Sequence, residues 1–241
     1  MAQGPATRQR ACVYTSMLGG YEKLNEQPIA SRSSVPFLCL TDDPAITSDT
    51  WKTIVIEPCF PLDPVRSQRM LKLLPHRFLP DYDISLYIDN TVILKEPPEL
   101  LLERYLPPGI QFALPTHSYR ETVLSEFAEV GRLGLDDPLR LSEQLNHYSA
   151  SSPAALLQRP YWSAIQFRRH HDEGVRCAFE IWCAHVLRYS RRDQLSANVA
   201  FEQSRLSPDR IEIDNYESWF HTWPHVADRT PRSYFRPADA L

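Results

Sequence analysis

The chain has 241 residues, 43% of them hydrophobic, which suffices for one large α/β domain with a real core and sets disorder aside. Its 26 Lys and Arg against 30 Asp and Glu give a formal charge of -4, so there is no global electrostatic footprint for nucleic acid; any polyanion site must be local. Twenty-one prolines against seven glycines argue against a phosphate cradle of repeated glycines, and five cysteines without Cys-x-x-Cys spacing read as reduced, mostly buried thiols rather than a zinc site.

The first ten residues are polar and lack the apolar core of a signal peptide, and no later window approaches the ~18 apolar residues of a membrane span. The expectation is a cytoplasmic protein without a transmembrane segment, free to dock peripherally on a membrane. Short apolar runs at residues 11–16, 36–41 and 53–56 have strand length and end in polar groups. Residues 64–76 have helical periodicity, with Val65, Met70, Leu71 and Leu74 available for a core face. The run at residues 84–94 is apolar except for Asp89 and Asn90 near its middle. A buried strand delivers polar groups where it emerges from an open α/β sheet, which makes Asp89 the first residue to suspect.

After Pro97-Pro98 the pattern gives a short helix through Leu102, a strand at 111–114, and helices at 123–131 and 139–148. A strand at 164–167 and helices at 175–189 and 195–203 follow. This alternation predicts a Rossmann-type, mainly parallel sheet flanked by helices. From Ser207 the periodicity fades and proline and aromatic residues accumulate. With no repeat or linker visible, the expectation is a single domain over residues 1–241, with a core at about 11–205 and a wrapping tail at 206–241.

Five groups of residues carry candidate chemistry. Arg66, Arg69, Lys72 and His76 fall within roughly a third of a helix circumference. Alone they read as a solvated face, but one loop before Asp89 they suit a diphosphate with a bound divalent metal. Asp42 and Asp43 follow a strand and either shape a turn or meet a ribose or base edge. His117, Arg120 and Glu126 form a polar cluster after the 111–114 strand. Asp193 reads as a helix N-cap, a role that leaves Gln194 and Asn198, one turn apart on one face, without explanation. His221 and His225 bracket Trp223-Pro224; the proline opposes a helical chelate, and His221 stands as a candidate ligand.

Val13-Tyr14-Thr15, Leu18 to Tyr21, Phe37 to Asp43, Trp51, Arg66, Arg69, Lys72, Pro75-His76 and Tyr87 to Asn90 form an ordered set. His117, Arg120, Glu126, Gln144, Tyr148, Arg168, His170, Trp182 and Ser190 to Ser196 continue it. The set resembles a glycosyltransferase-like family long catalogued as a domain of unknown function, with bacterial members and plant Golgi members linked to cell-wall polysaccharides. The resemblance covers about residues 11–201 and implies a GT-A fold that binds a nucleotide-sugar donor with Mn2+ or Mg2+.

Carried over residue by residue, it puts Tyr14, Thr15 and Tyr21 near the nucleoside and Asp42 or Asp43 near the base or ribose. Lys72 would face the phosphates, and Arg66, Arg69, Asn90, His117 and Arg120 would complete the donor site. Asp89 takes the first place of the Asp-x-Asp metal motif. The second place holds Thr91, a poorer ligand for a hard cation. Asp193-Gln194 with Asn198 is also similar to a stretch of retaining family-8 glycosyltransferases, which makes Asp193 and Gln194 catalytic candidates, while an inverting enzyme would need a carboxylate base, for which Glu126 or Asp193 could serve. The expected reaction moves a sugar to a saccharide or lipid-linked acceptor in polysaccharide or surface glycan biosynthesis. The alternative is a catalytically inactive nucleotide-sugar or glycan-binding module.

Overall fold

The computed structural model describes residues 9–226, so the polar stretch through Arg8 and the end of the expected tail from residue 227 lie outside the described residues. The first three apolar runs form β1 (Ala11–Met17), β2 (Phe37–Thr41) and β3 (Lys52–Val55), paired in parallel with β2 in the middle. Helix α1 (Pro64–Leu73) and the single turn α2 (Pro75–Phe78) then lead to β4 (Ile84–Ile88), which pairs in parallel with the other side of β1. Asp63 starts α1 by accepting from the Arg66 backbone N–H. The residue before a proline is disfavoured in the helical region, and Leu74, before Pro75, ends the helix at φ -118°.

The expected strand at residues 84–94 is two strands. All five residues of β4 are buried, the polar residues 89–91 make a turn closed by the Val92 N–H on the Asp89 carbonyl, and β5 (Ile93–Leu94) leaves the main sheet. Helix α3 (Pro98–Tyr105) leads to β6 (Phe112–Pro115). Three helices, α4 (Val123–Arg132), α5 (Pro138–Ser151) and α6 (Pro153–Leu156), bring the chain back to the end of the sheet it has just left. Consequently β7 (Ile165–Arg169) enters between β4 and β6 antiparallel to both. Helices α7 (Glu173–Arg188) and α8 (Gln194–Ser204) precede β8 (Asp209–Ile211), parallel to β6, and β9 (His221–Thr222), which pairs with β5. The result is a seven-stranded, mostly parallel sheet in the order β3-β2-β1-β4-β7-β6-β8. The tail read as irregular thus supplies an edge strand and half of a second small sheet.

Alternation along the central strands builds a core on each face of the sheet. Val13, Leu86, Ile88 and Phe167 pack with Leu101 of α3, while Cys12, Tyr14 and Tyr87 pack with Leu71 of α1. Among the described residues no helix is long and apolar enough to cross a membrane.

The β1 strand ends in a turn where Gly19 has φ +76° and its N–H donates to both carboxylate oxygens of Asp42, at 3.2 and 3.1 Å. A Cβ at Gly19 would stand 2.8 Å from Cβ of Pro64, the first residue of α1. Gly19→Ala should therefore cost about 1–3 kcal/mol of unfolding free energy, read as a lower urea midpoint. An unchanged midpoint would show that this turn does not brace the start of α1.

Candidate active site

The carboxyl ends of β1 and β4, the segment leading into β7 and the start of α8 open on a cavity of about 330 Å³. Parallel strands deliver side chains to such an edge, which is why residues far apart in sequence converge here. Ser16, Asp89, Ser163, His117 and Asp193 arrive from five different segments.

At the centre is the Lys72 ammonium, on the last turn of α1 and with only 1% of the side chain exposed. Its Nζ lies 2.8 Å from Asp193 Oδ2, 3.2 Å from Asp89 Oδ1 and 3.2 Å from Ser163 Oγ. Its N–H groups donate to Asp89 and Ser163, and Asp193 stands beside it as an ion-pair partner. Tyr87 donates its hydroxyl to the same Asp89 oxygen at 2.7 Å, and Ser163 donates to Asp193 Oδ1 at 3.1 Å. Asp193 does occupy the N-cap position of α8, yet its carboxylate makes no cap hydrogen bond because it is turned onto Lys72. Burial would raise its pKa, but Lys72 and then Arg69 outweigh that and hold it well below the usual carboxylate range.

The helix face read as cationic is turned inward rather than solvated. Arg66 donates to the Tyr189 carbonyl at 3.0 Å and Arg69 to the Arg191 carbonyl at 3.1 Å, so two arginines of α1 fix the loop that carries Asp193. His76 pairs with Glu180 at 2.8 Å. Of these four, only Arg69 and Lys72 line the cavity.

A second wall carries Arg120, Glu126, His117 and Gln194. Arg120 binds Glu126 at 3.0 Å and Glu129 at 3.1 Å. Burial pushes the Glu126 carboxyl up, against the opposing pull of Arg192 and Arg120. Burial first, then Arg120, lowers the His117 imidazole to about 4, so it is neutral near pH 7. Arg192 also lines the cavity, where its charge pulls on the Glu126 and Asp193 carboxyls. Arg192 and Ser163 were not singled out as site residues from the sequence. Arg192 lay in the quoted 190–196 stretch, whereas Ser163 has no local signal at all.

The structure places the remaining candidates as follows. Tyr14 is fully buried behind the cavity, donating to the Lys72 carbonyl at 2.7 Å. Thr15 is equally buried and does not reach the cavity, whereas Tyr21 lines it. Asp42 is bound to the Gly19 N–H, and Asp43 accepts from the Ala45 N–H at 2.8 Å, so both shape turns outside the cavity. Arg66 is spent on Asp63 and the Tyr189 carbonyl. Asn90 borders the cavity, but its amide accepts from the Asn25 N–H at 2.8 Å and donates to the Lys23 carbonyl at 2.9 Å. Asn198 turns away, donating to the Arg159 carbonyl at 3.1 Å and lining a separate groove. His221 is fully buried, with Nδ1 bound to Ser218 Oγ at 2.6 Å and Nε2 to the Asn215 carbonyl at 3.1 Å, and it lies outside the cavity.

These placements bear on a divalent metal, which needs several free oxygen ligands. Asp89 Oδ1 already receives Lys72 and Tyr87, and the Thr91 hydroxyl accepts from the Trp223 indole N–H at 3.0 Å. Both His221 nitrogens are committed. Among the described residues no group of three or more His, Cys, Asp or Glu side chains could hold a metal ion. Asp89 Oδ1, Thr91 and His221 are thus engaged by donors or acceptors of the protein itself.

A family model described as "TOD1/MUCI70, glycosyltransferase-like domain" matches residues 40–217, which include Lys72, Asp89, Glu126 and Asp193. The "Probable hexosyltransferase MUCI70" of Arabidopsis thaliana is 28% identical over 153 residues, covering 61% of this chain and 26% of that protein, so the chain spans about a quarter of that relative's length. Among solved structures, the apo form of the bifunctional glycosyltransferase WbbM superposes with a TM-score of 0.52 at 11% identity, over 87% of this chain and 40% of that one. Mouse xyloside xylosyltransferase 1 in its apo form gives a TM-score of 0.46 at 10% identity, over 85% of each chain.

The ion cluster makes a stability prediction. Asp193→Asn removes the nearer of the two carboxylates on a buried ammonium and should cost about 2–4 kcal/mol by denaturant titration near neutral pH. The folded-state pKa of Asp193 is depressed, so its contribution is present above the unfolded carboxylate value and disappears as pH falls through the lower folded value. The parent and variant stability curves should converge only in strong acid, and curves that coincide near neutrality would refute the ion pair.

Proposed function

Because the chain belongs to the TOD1/MUCI70 glycosyltransferase-like family, we propose that it is a hexosyltransferase acting on a nucleoside-diphosphate sugar donor. The acceptor is a saccharide or a lipid-linked saccharide, and the product enters a polysaccharide or surface glycan. The observation that carries this reading is the Lys72 ammonium clamped between Asp89 and Asp193 at the carboxyl edge of the sheet, with Arg192 on the same cavity. Free thiols at all five cysteines agree with a reducing, cytoplasmic setting.

In the transfer, the acceptor hydroxyl oxygen bonds to the anomeric carbon while the bond from that carbon to the diphosphate oxygen breaks. The electron pair leaves with the nucleoside diphosphate, and the hydroxyl proton goes to a base. Arg192 and Arg69 face the growing charge on the leaving diphosphate, where guanidinium forks match phosphate oxygens. Asp193, kept ionised by Lys72, stabilises the oxocarbenium-like sugar. Glu126 is the better base, because burial raises its proton affinity whereas Asp193 is held as a weak base. His117 and Gln194 flank the sugar-binding space as neutral hydrogen-bonding groups. A donor-binding module without turnover is the second reading, favoured by Thr91 in place of the second acid and by its engagement with Trp223.

Release of nucleoside diphosphate from UDP- and GDP-sugars, measured across oligosaccharide acceptors, tests the assignment. Turnover with one nucleotide class supports the transferase; saturable donor binding with no release for any acceptor supports the binding module. Glu126→Gln should lower kcat/KM by about 10²–10⁴-fold with the fold intact. In the parent, the base form is lost as pH falls through the raised Glu126 pKa, so the acid limb of the pH profile should lie above the usual carboxylate range. That limb should vanish in Glu126→Gln, and its persistence would remove Glu126 from the base role.

A further inference from the structure

We infer that the donor site binds a nucleoside diphosphate without a divalent metal, with the Lys72 ammonium as the cation between Asp89 and Asp193. This rests on the donor-binding reading above. A divalent metal in such a cavity would be gathered by carboxylates, and the two carboxylates beside the strand end already share one resident cation at 3.2 and 2.8 Å. The cation is not a mobile side chain that has drifted into place. Its ammonium donates to Asp89 and Ser163, pairs with Asp193 and lies 5.1 Å from the centre of the Tyr87 ring, and its stem is buried.

The backbone beneath it is fastened as well. The Lys72 carbonyl accepts from the Tyr14 hydroxyl at 2.7 Å and from the Arg168 guanidinium at 2.9 Å, so the last turn of α1 cannot retract the ammonium without breaking buried hydrogen bonds. A metal on Asp89 would have to displace this ammonium or sit beside it against like-charge repulsion. The position from which a second acid would reach it is Thr91, whose hydroxyl is bound to Trp223.

The charges next to the ammonium itself also balance. Lys72 and Arg69, the latter 3.6 Å from Asp193, offset Asp89 and Asp193 one for one. On the opposite wall Arg120 meets Glu126 and Glu129, and Arg192 faces the same cavity. A diphosphate therefore meets a guanidinium fork rather than a metal, and Lys72 prevents Asp89 and Asp193 from repelling it.

The test is isothermal titration of the full chain with UDP and with GDP, in EDTA and in Mn2+, together with Mn2+ alone followed by the paramagnetic signal of the free ion. One nucleotide should bind with a Kd that agrees within about twofold in the two conditions, and Mn2+ alone should not bind. Lys72→Met leaves two carboxylates without their cation, so this variant should gain Mn2+ binding, lose about tenfold or more of its affinity in EDTA, and recover it with Mn2+. Lys72→Arg should keep metal-independent binding. The parent protein alone decides if Lys72→Met does not fold. Nucleotide binding that appears only with Mn2+, or is more than about tenfold tighter with it, overturns the metal-free site while leaving the transferase reading standing. No binding of either nucleotide in either condition overturns both.

Discussion

The structure around the cavity depends on keeping one buried ammonium satisfied. Taking an amine cation out of water costs several kcal/mol, which is offset only by close, well-aligned anions. Lys72 obtains two carboxylates and a hydroxyl from three segments that are distant in sequence, so its burial requires β4, the segment before β7 and the start of α8 to meet. The same requirement explains why Asp193, at an N-cap position, leaves its helix uncapped. An ion pair with a buried lysine outweighs a cap hydrogen bond worth about 1 kcal/mol.

A second tier of polar groups holds this cluster in register. Arg168 is fully exposed to nothing but protein: it donates to the Lys72 carbonyl, its guanidinium lies 4.8 Å from the Phe179 ring centre, and it has no carboxylate partner among the described residues. Gln68 bridges Ser16 and Tyr87 at 2.9 Å each, tying α1 to the ends of β1 and β4. Arg66 and Arg69 reach from α1 to carbonyls of the 189–193 loop. The rigidity of the site thus comes from side chains of α1 used as braces, which a count of charges reads as a solvated face.

The far wall of the cavity is tertiary in origin. Trp223 and Pro224 line it, and the Trp223 indole is anchored on Thr91 while the His225 N–H reaches the Thr91 carbonyl. Asn25 closes the same corner by donating to the carbonyls of Asn90 and His225, each at 2.9 Å. Thr91 is therefore a structural anchor for the C-terminal segment as well as the residue that stands where an acid was expected. Selection of a sugar or acceptor at this wall would depend on residues that meet only in the folded chain.

The sequence by itself determined the α/β architecture, because the spacing of apolar residues gives the strand and helix periods directly and the alternation of elements gives a mainly parallel sheet. It also marked Asp89 as the polar break in an apolar run, Lys72 on a cationic helix face and Asp193 at a helix start. The ordered motifs carried the family resemblance, and the family match over residues 40–217 bears it out. Only the tertiary structure decided what those residues do to one another. Strand direction at β7, the two-way clamp on Lys72, the burial of Tyr14 and His221, and the use of Thr91 by Trp223 all depend on contacts between residues distant in sequence. Local pattern records how exposed a side chain can be, whereas hydrogen-bond partners are fixed only when the segments pack.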